Sequence, residues 1–298
     1  MSQGRREEPF LFDCQGERLV GILVRPAVAA RVGVLMIVGG PQYRVGSHRQ
    51  FTLLARHLGH EGFASFRFDC RGMGDSTGAK RSFEAIAPDI RAAIDELMAR
   101  VPELARVVLW GLCDAASAAC TYAPGDRRVA GLVLLNPWVR TESGQAAAYL
   151  RHYYVRRLFD RAFWRKVGAG DFELWRSLGS FYQNVACAFA GRRPLLEADD
   201  QPIRAVDDVS PRKPLPERMS AALRSFKGAT LMILSGNDLT AAEFRDVVAA
   251  SREWRKVVDA GAARIEEIAE ADHTFSSPEW RDRVERTTTA WLREKFGG

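Results

Sequence analysis

Val107-Val108-Leu109-Trp110-Gly111-Leu112-Cys113-Asp114-Ala115-Ala116-Ser117-Ala118-Ala119 reads as a short buried strand, a sharp turn and an Ala-rich helix. Gly111 and Ala115 sit two places on either side of Cys113. This is the spacing of a G-x-S-x-G turn, with Cys for Ser and Ala for the second Gly. The spacing has a steric cause. Strand and helix backbones pass close together at such a turn, and only small flanking side chains leave room. The turn also sets the thiol at a helix N-terminus, where partial positive charge favours a thiolate. Two readings of Cys113 stand on this window. It is a nucleophile on a strained turn, or a buried Cys that packs as a small hydrophobe.

Working outward, the chain alternates strand and helix patterns. Phe10 to Asp13 and Arg18 to Val24 read as a hairpin closed by Gln15-Gly16. Val32 to Val38, Phe63 to Phe68, Val107 to Trp110, Val129 to Leu135, Thr230 to Leu234 and Arg264 to Ile268 are short apolar strands. Helical periodicity covers Phe51 to Leu58. Helices are also predicted over Phe83 to Met98 with Ser82 as N-cap, Ala241 to Val258, and Pro278 to Phe296. The expected class is α/β, a mostly parallel eight-stranded sheet flanked by helices. Residues 139–224 break the rhythm. They hold ten aromatic residues between Tyr149 and Tyr182 and end in the Pro/Asp-rich stretch Asp199 to Pro216. We expect 1–138 and 225–298 to form the core, and 139–224 to form a helical cap insertion and return loop.

Composition narrows the classes. The chain has 298 residues, 47% of them hydrophobic, enough for one large core. The N-terminal residues carry no apolar run of the secretory kind, and no stretch approaches the ~18 apolar residues of a membrane span. Cys14, Cys70, Cys113, Cys120 and Cys187 are odd in number and contain no C-x-x-C pair. That argues against a disulfide framework or zinc site and for a reducing, cytoplasmic compartment. No cofactor or metal is expected. A net charge of +6 is too weak a bias to imply nucleic acid.

Asp238 follows the strand ending at Leu234, and His273 lies between the last strand and the C-terminal helix. With Cys113 they give the order nucleophile, acid, histidine, each after a strand C-terminus, the edge where open parallel sheets bind ligands. His273 is expected to take the thiol proton, and Asp238 to orient its imidazole. Taken singly, an Asp after a strand such as Asp238 is usually a turn or helix cap, and a loop histidine such as His273 is often just solvated. Asp272 is a rival acid. The segment Asp69-Cys70-Arg71-Gly72-Met73-Gly74-Asp75-Ser76 reads as structural support, with Arg71 and Asp75 available for an ion pair. Gly39-Gly40-Pro41-Gln42-Tyr43 follows the strand Val32 to Val38, where an oxyanion-binding loop should lie. The backbone N–H of Asp114 is the expected second donor. Gly40, Pro41 and His48 are candidate pocket residues.

The Gly-Gly-Pro loop, the Asp-x-Arg-Gly-x-Gly-Asp-Ser segment, the turn at Cys113, the late Asp and Asp-His-Thr-Phe together resemble the α/β-hydrolase superfamily over about 10–138 and 225–296. More narrowly, residues 39–51, 111–117 and 136–142 resemble the exosortase A system-associated hydrolase 1 family, found beside bacterial exopolysaccharide and protein-sorting genes. The resemblance implies an α/β-hydrolase fold and a Cys113, His273, Asp238 triad similar to that of dienelactone hydrolases. It implies no particular substrate. Pro41 stands where superfamily members supply an oxyanion N–H, and proline has none. Gln42 or Tyr43 N–H, or the Gln42 side chain, must then replace it.

Residues 140–166 carry Arg140, Arg151, Arg156, Arg157, Arg161, Arg165 and Lys166 against Glu142 and Asp160, with aromatics at helical spacing. The aromatic face packs on the core with the basic face solvated, or the cap presents charge to an anionic membrane or a lipid-linked acyl substrate. Three function classes follow. One is an acyl ester or thioester hydrolase, or acyl transferase, acting on a small-molecule or lipid-linked substrate. The second is an inert hydrolase-fold binding protein, supported by Pro41 and Ala115. The third is a lyase or dehalogenase, with Asp114 one place off the turn.

Overall fold

Gln15 and Gly16 both take positive φ, 53° and 84°. That backbone matches the twist of a tight hairpin, and it joins β1 (Arg6–Cys14) to β2 (Glu17–Arg25) as an antiparallel pair. The structure, a computed structural model, describes residues 6–27, 31–40, 42–139, 213–259, 261 and 263–297. Six further strands follow: β3 (Val32–Ile37), β4 (Ser65–Phe68), β5 (Arg106–Leu112), β6 (Val129–Leu135), β7 (Ala229–Ser235) and β8 (Arg264–Ile268). They form one eight-stranded sheet in the order β1-β2-β4-β3-β5-β6-β7-β8. β2 pairs antiparallel with β4, and every later pairing is parallel.

The central strands are apolar on both faces, and alternation sends neighbouring residues to opposite cores. Leu35, Leu109 and Leu134 join a core with Phe12 and Phe66 beneath helices α2 (Ala87–Arg100) and α3 (Asp114–Tyr122). Met36, Trp110 and Val133 join the other, with Phe51 of α1 (Gln50–His60) and Trp291 of the C-terminal helix Pro278–Phe296. Trp110 meets Phe51 edge-on at 5.5 Å.

Two expected helices are broken, each for a local reason. Phe83–Ala85 is a single 3-10 turn capped by Ser82, and α2 begins only at Ala87. Pro88 lacks an N–H and suits only a first helical turn, so the helix restarts there. The helix expected over 241–258 is two helices, Leu239–Ala250 (α5) and Arg252–Asp259 (α6), separated by extended Ser251. The Ser251 hydroxyl accepts the Trp254 N–H, and the break lets Trp254 pack edge-on against Phe244 at 5.2 Å.

The chain divides into two units, Met1–Arg140 with Ser210–Gly298, and Thr141–Val209. The second lies outside the described residues, and with it the basic aromatic segment 140–166. Leu215–Ser225 (α4), in the stretch read from sequence as cap and return loop, is a helix of the sheet unit. Met219 is fully buried there and its carbonyl accepts from the Cys120 thiol. The sheet unit therefore resumes before residue 225. The C-terminal helix is α7.

Candidate active site

Cys113 sits between β5 and α3 with φ 61° and ψ −123°, a conformation that costs energy for any residue with a Cβ. The neighbours enforce it. A Cβ at Gly111 would lie 2.7 Å from the Ala115 carbonyl. The Cys113 N–H donates to Leu135 O at 2.9 Å, and its carbonyl accepts from Ala116 N–H at 3.1 Å and Trp138 N–H at 3.2 Å. Cys14, Cys70 and Cys120 are buried, whereas Cys113 is half-buried. Burial pushes the Cys14 thiol up to about 11 and Cys120 to about 12, which keeps both inert.

His273 Nδ1 lies 3.0 Å from Asp238 Oδ2. Burial opposes charge on this imidazole, but hydrogen bonds to Asp238 and Cys113 and the charges of both push its pKa up to about 10. Burial would raise the Asp238 carboxyl, yet His273 and the N–H groups of Ala241 and Thr240 hold it below the ordinary range. The structure therefore brings Cys113, His273 and Asp238 together. Asp238 also acts as the helix cap read from the sequence, its Oδ2 accepting Ala241 N–H at 2.9 Å at the start of α5. Asp272 does something else. It accepts the N–H groups of Thr274 and Ser276 and the Ser276 hydroxyl, and so shapes the His273 loop.

Asn136, unmarked by spacing or charge, holds this loop to the sheet. Its side chain is fully buried. Nδ2 donates to Ser235 Oγ at 2.7 Å and to the His273 carbonyl at 3.0 Å, and Oδ1 accepts Ser235 N–H at 2.8 Å. The visible signal is a polar residue closing an apolar strand immediately before Pro137.

A cavity of about 440 Å³ opens on Cys113 and His273. Its described walls include Phe51, Phe83, Leu112 and Trp138, with Gly39, Gly40, Gln42 and Asp114 at the thiol. Of the expected oxyanion groups, Asp114 and Gln42 line the cavity. Tyr43 is not among its described walls; its ring is exposed and its carbonyl accepts Gly46 N–H at 2.8 Å. His48 is not among them either. It occupies the positive-φ turn Ser47–Arg49, and its carbonyl accepts from Arg281. Pro41 lies outside the described residues. The Asp114 carboxylate takes Gly40 N–H at 2.9 Å and Ala115 N–H at 2.8 Å.

The support segment after β4 is tied differently from the expected Arg71–Asp75 pair. Arg44, in the loop after β3, pairs with buried Asp69 and with Asp75. Arg71 pairs with buried Asp89 and reaches Gln15. Pairing Arg44 with Asp69 anchors the loop that carries Gly40 and Gln42. Among the described residues, no group of three or more His, Cys, Asp or Glu side chains converges as metal ligands. No helix among them is long and apolar enough to cross a membrane.

A family model for serine aminopeptidase, S33, matches residues 32–170. No curated protein matches the chain. Among solved structures, the chain is similar to an esterase from Pyrococcus furiosus, at 15% identity and TM-score 0.63, over 98% of this chain and 91% of that one. It is similar to a dienelactone hydrolase from Anabaena variabilis, at 16% identity and TM-score 0.60, over 99% and 100%. A protein of Butyrivibrio proteoclasticus with ferulic acid bound matches at 15% identity and TM-score 0.61, over 97% and 100%. With the sheet order, these likenesses establish the α/β-hydrolase fold expected from the sequence.

Proposed function

We propose that this protein is a hydrolase that cleaves acyl esters or thioesters through Cys113. The observation that carries the proposal is the joining of three groups: a thiol on a strained turn, hydrogen-bonded His273, and Asp238 on the far ring nitrogen. With Nδ1 held by Asp238, Nε2 takes the Cys113 proton. The thiolate attacks the acyl carbon and the carbonyl oxygen becomes an oxyanion. Asp114 N–H, at the start of α3, is one of the helix N–H groups with no intrahelical acceptor and supplies one donor. A group of the Gly40–Gln42 loop supplies the other. The tetrahedral adduct collapses, and the departing oxygen or sulfur takes the proton from His273, leaving a thioester on Cys113. Water then attacks that thioester as His273 takes a water proton, and the acid leaves with the thiol restored.

Intact-protein mass after mixing with a short activated ester tests this. A transient acyl adduct is expected in the wild type and absent in Cys113→Ala. No adduct on a thiol that still alkylates would favour the second reading, an inert hydrolase-fold binding protein. One observation favours that reading: Gly40 N–H, a natural oxyanion donor, is already taken by Asp114.

The finer setting stands on sequence alone. We place the protein with exopolysaccharide and exosortase systems from its resemblance over 39–51, 111–117 and 136–142. We place the basic segment 140–166 against the anionic face of the inner membrane. Cosedimentation with anionic vesicles and not with neutral ones is the expected result; equal sedimentation would remove the charge-driven contact.

A further inference from the structure

The groups around the cavity are unevenly charged. Among its described walls only Asp114 and His273 bear charge; the rest are apolar, glycine, Gln42 and the thiol. His273 faces Asp238 on one side and Cys113 on the other, so its positive charge is already matched. Asp114 makes no ion pair among the described residues, and the one cation whose charge acts on it is His273. Its carboxylate is held by main-chain N–H groups, Ala115 on Oδ1 and Gly40 on Oδ2.

The side chain is also fixed in place. It fills the space beside Gly39, where a Cβ would lie 1.9 Å from Asp114 Oδ1. Any residue larger than glycine there would displace the carboxylate. Its negative charge is thus built into the wall, one residue from the nucleophile, in a partly desolvated place where screening is weak.

We infer that Asp114 is a specificity-determining residue that turns anionic groups away from Cys113, leaving uncharged apolar acyl groups as the substrate class. This rests on the cavity being the acyl site. Phe51, Phe83, Leu112 and Trp138 supply the matching apolar surface. Burial raises the Asp114 carboxyl above its ordinary value, while the N–H groups of Gly40, Ala115 and Asp114 itself and the charge of His273 oppose that rise.

Iodoacetamide and iodoacetate test the inference. Each transfers a CH₂ group to a thiolate with loss of iodide, and they differ in charge. Rates are read at the Cys113 peptide by mass spectrometry at pH 8, against glutathione as a free-thiol reference. The wild type should prefer iodoacetamide by about tenfold more than glutathione does, the effect of one poorly screened charge near contact. Asp114→Asn keeps the shape and an acceptor for Gly40 N–H, and should remove most of that preference.

A wild-type preference no greater than that of glutathione would overturn the inference. So would a preference unchanged in Asp114→Asn. Failure of both reagents to reach Cys113 would overturn it as well, because the cavity would then not lead to the thiol. The acyl-adduct experiment is separate. An alkylatable, charge-selective Cys113 that forms no acyl adduct would remove the hydrolase reading and leave the selectivity standing.

Discussion

Asp238 Oδ2 lies 3.0 Å from His273 Nδ1 and 2.9 Å from Ala241 N–H, so one oxygen orients the histidine and starts helix α5. Asp238→Asn keeps a capping oxygen but removes the charge. The pKa of His273, pushed up to about 10 in the wild type, should fall toward 6.5 in the variant. Histidine titration by NMR reads this directly. Asp238→Ala should also lose about 1 kcal/mol through the cap, seen in urea unfolding. A His273 titration identical in wild type and Asp238→Asn would separate the two residues functionally.

The same pair sets a pH signature in stability. His273 has a raised pKa in the fold, so its contribution is complete below its unfolded value of about 6.5 and is lost as pH rises through about 10. Asp238 is lowered, so its contribution is complete above its unfolded value of about 4 and is lost as pH falls through the folded value. The stability difference between wild type and Asp238→Asn should therefore be greatest between about pH 4 and 6.5 and shrink toward pH 10. Urea midpoints across that range measure it. A difference independent of pH would mean that charge plays no part in the pairing.

Asn136 joins three partners at the end of β6: Ser235 through both its amide and hydroxyl, and the His273 carbonyl. Asn136→Ala leaves these buried groups unpaired and should cost about 2–3 kcal/mol. Any acyl-transfer activity should fall through kcat more than KM, since the change loosens His273 and removes no side chain from the described cavity walls. Asn136→Asp, which keeps an acceptor for Ser235 N–H but no donor for the two oxygens, should recover little.

What sequence could reveal was set by how local each constraint is. Gly111, Cys113 and Ala115 announce themselves because the turn is a steric problem solved within five residues. The central apolar strands β3 to β7 were equally legible, since they are buried on both faces. Pairings made across the fold were not. Arg44 meets Asp69, and Arg71 meets Asp89, because the loops after β3 and β4 converge with each other and with the first turn of α2. No spacing rule connects those positions. Helix continuity failed at Ser251, where the burial of Trp254 outweighed a periodicity that runs straight through. Asn136 stayed silent because its partners come from β7 and the His273 loop, 99 and 137 residues away.

The narrowest tolerance lies at Gly111. Its missing side chain leaves room for the main chain of α3, and an added methyl would meet Ala115 C and O at 2.7 Å and Ala116 N at 2.8 Å. Those atoms are backbone of the helix that carries Asp114, so no rotamer change relieves the clash. Gly111→Ala should push α3 away from β5 and cost about 1–3 kcal/mol. The shift acts on both ends of the site, because α3 presents Asp114 N–H and its first turn holds Gly40 through the Asp114 carboxylate. Acylation of Cys113 should therefore fall by more than the thiol's alkylation rate, which needs the thiolate but no oxyanion donor. Equal losses in both rates would place the damage at the thiol itself, and unchanged stability would show that the β5–α3 contact gives way elsewhere.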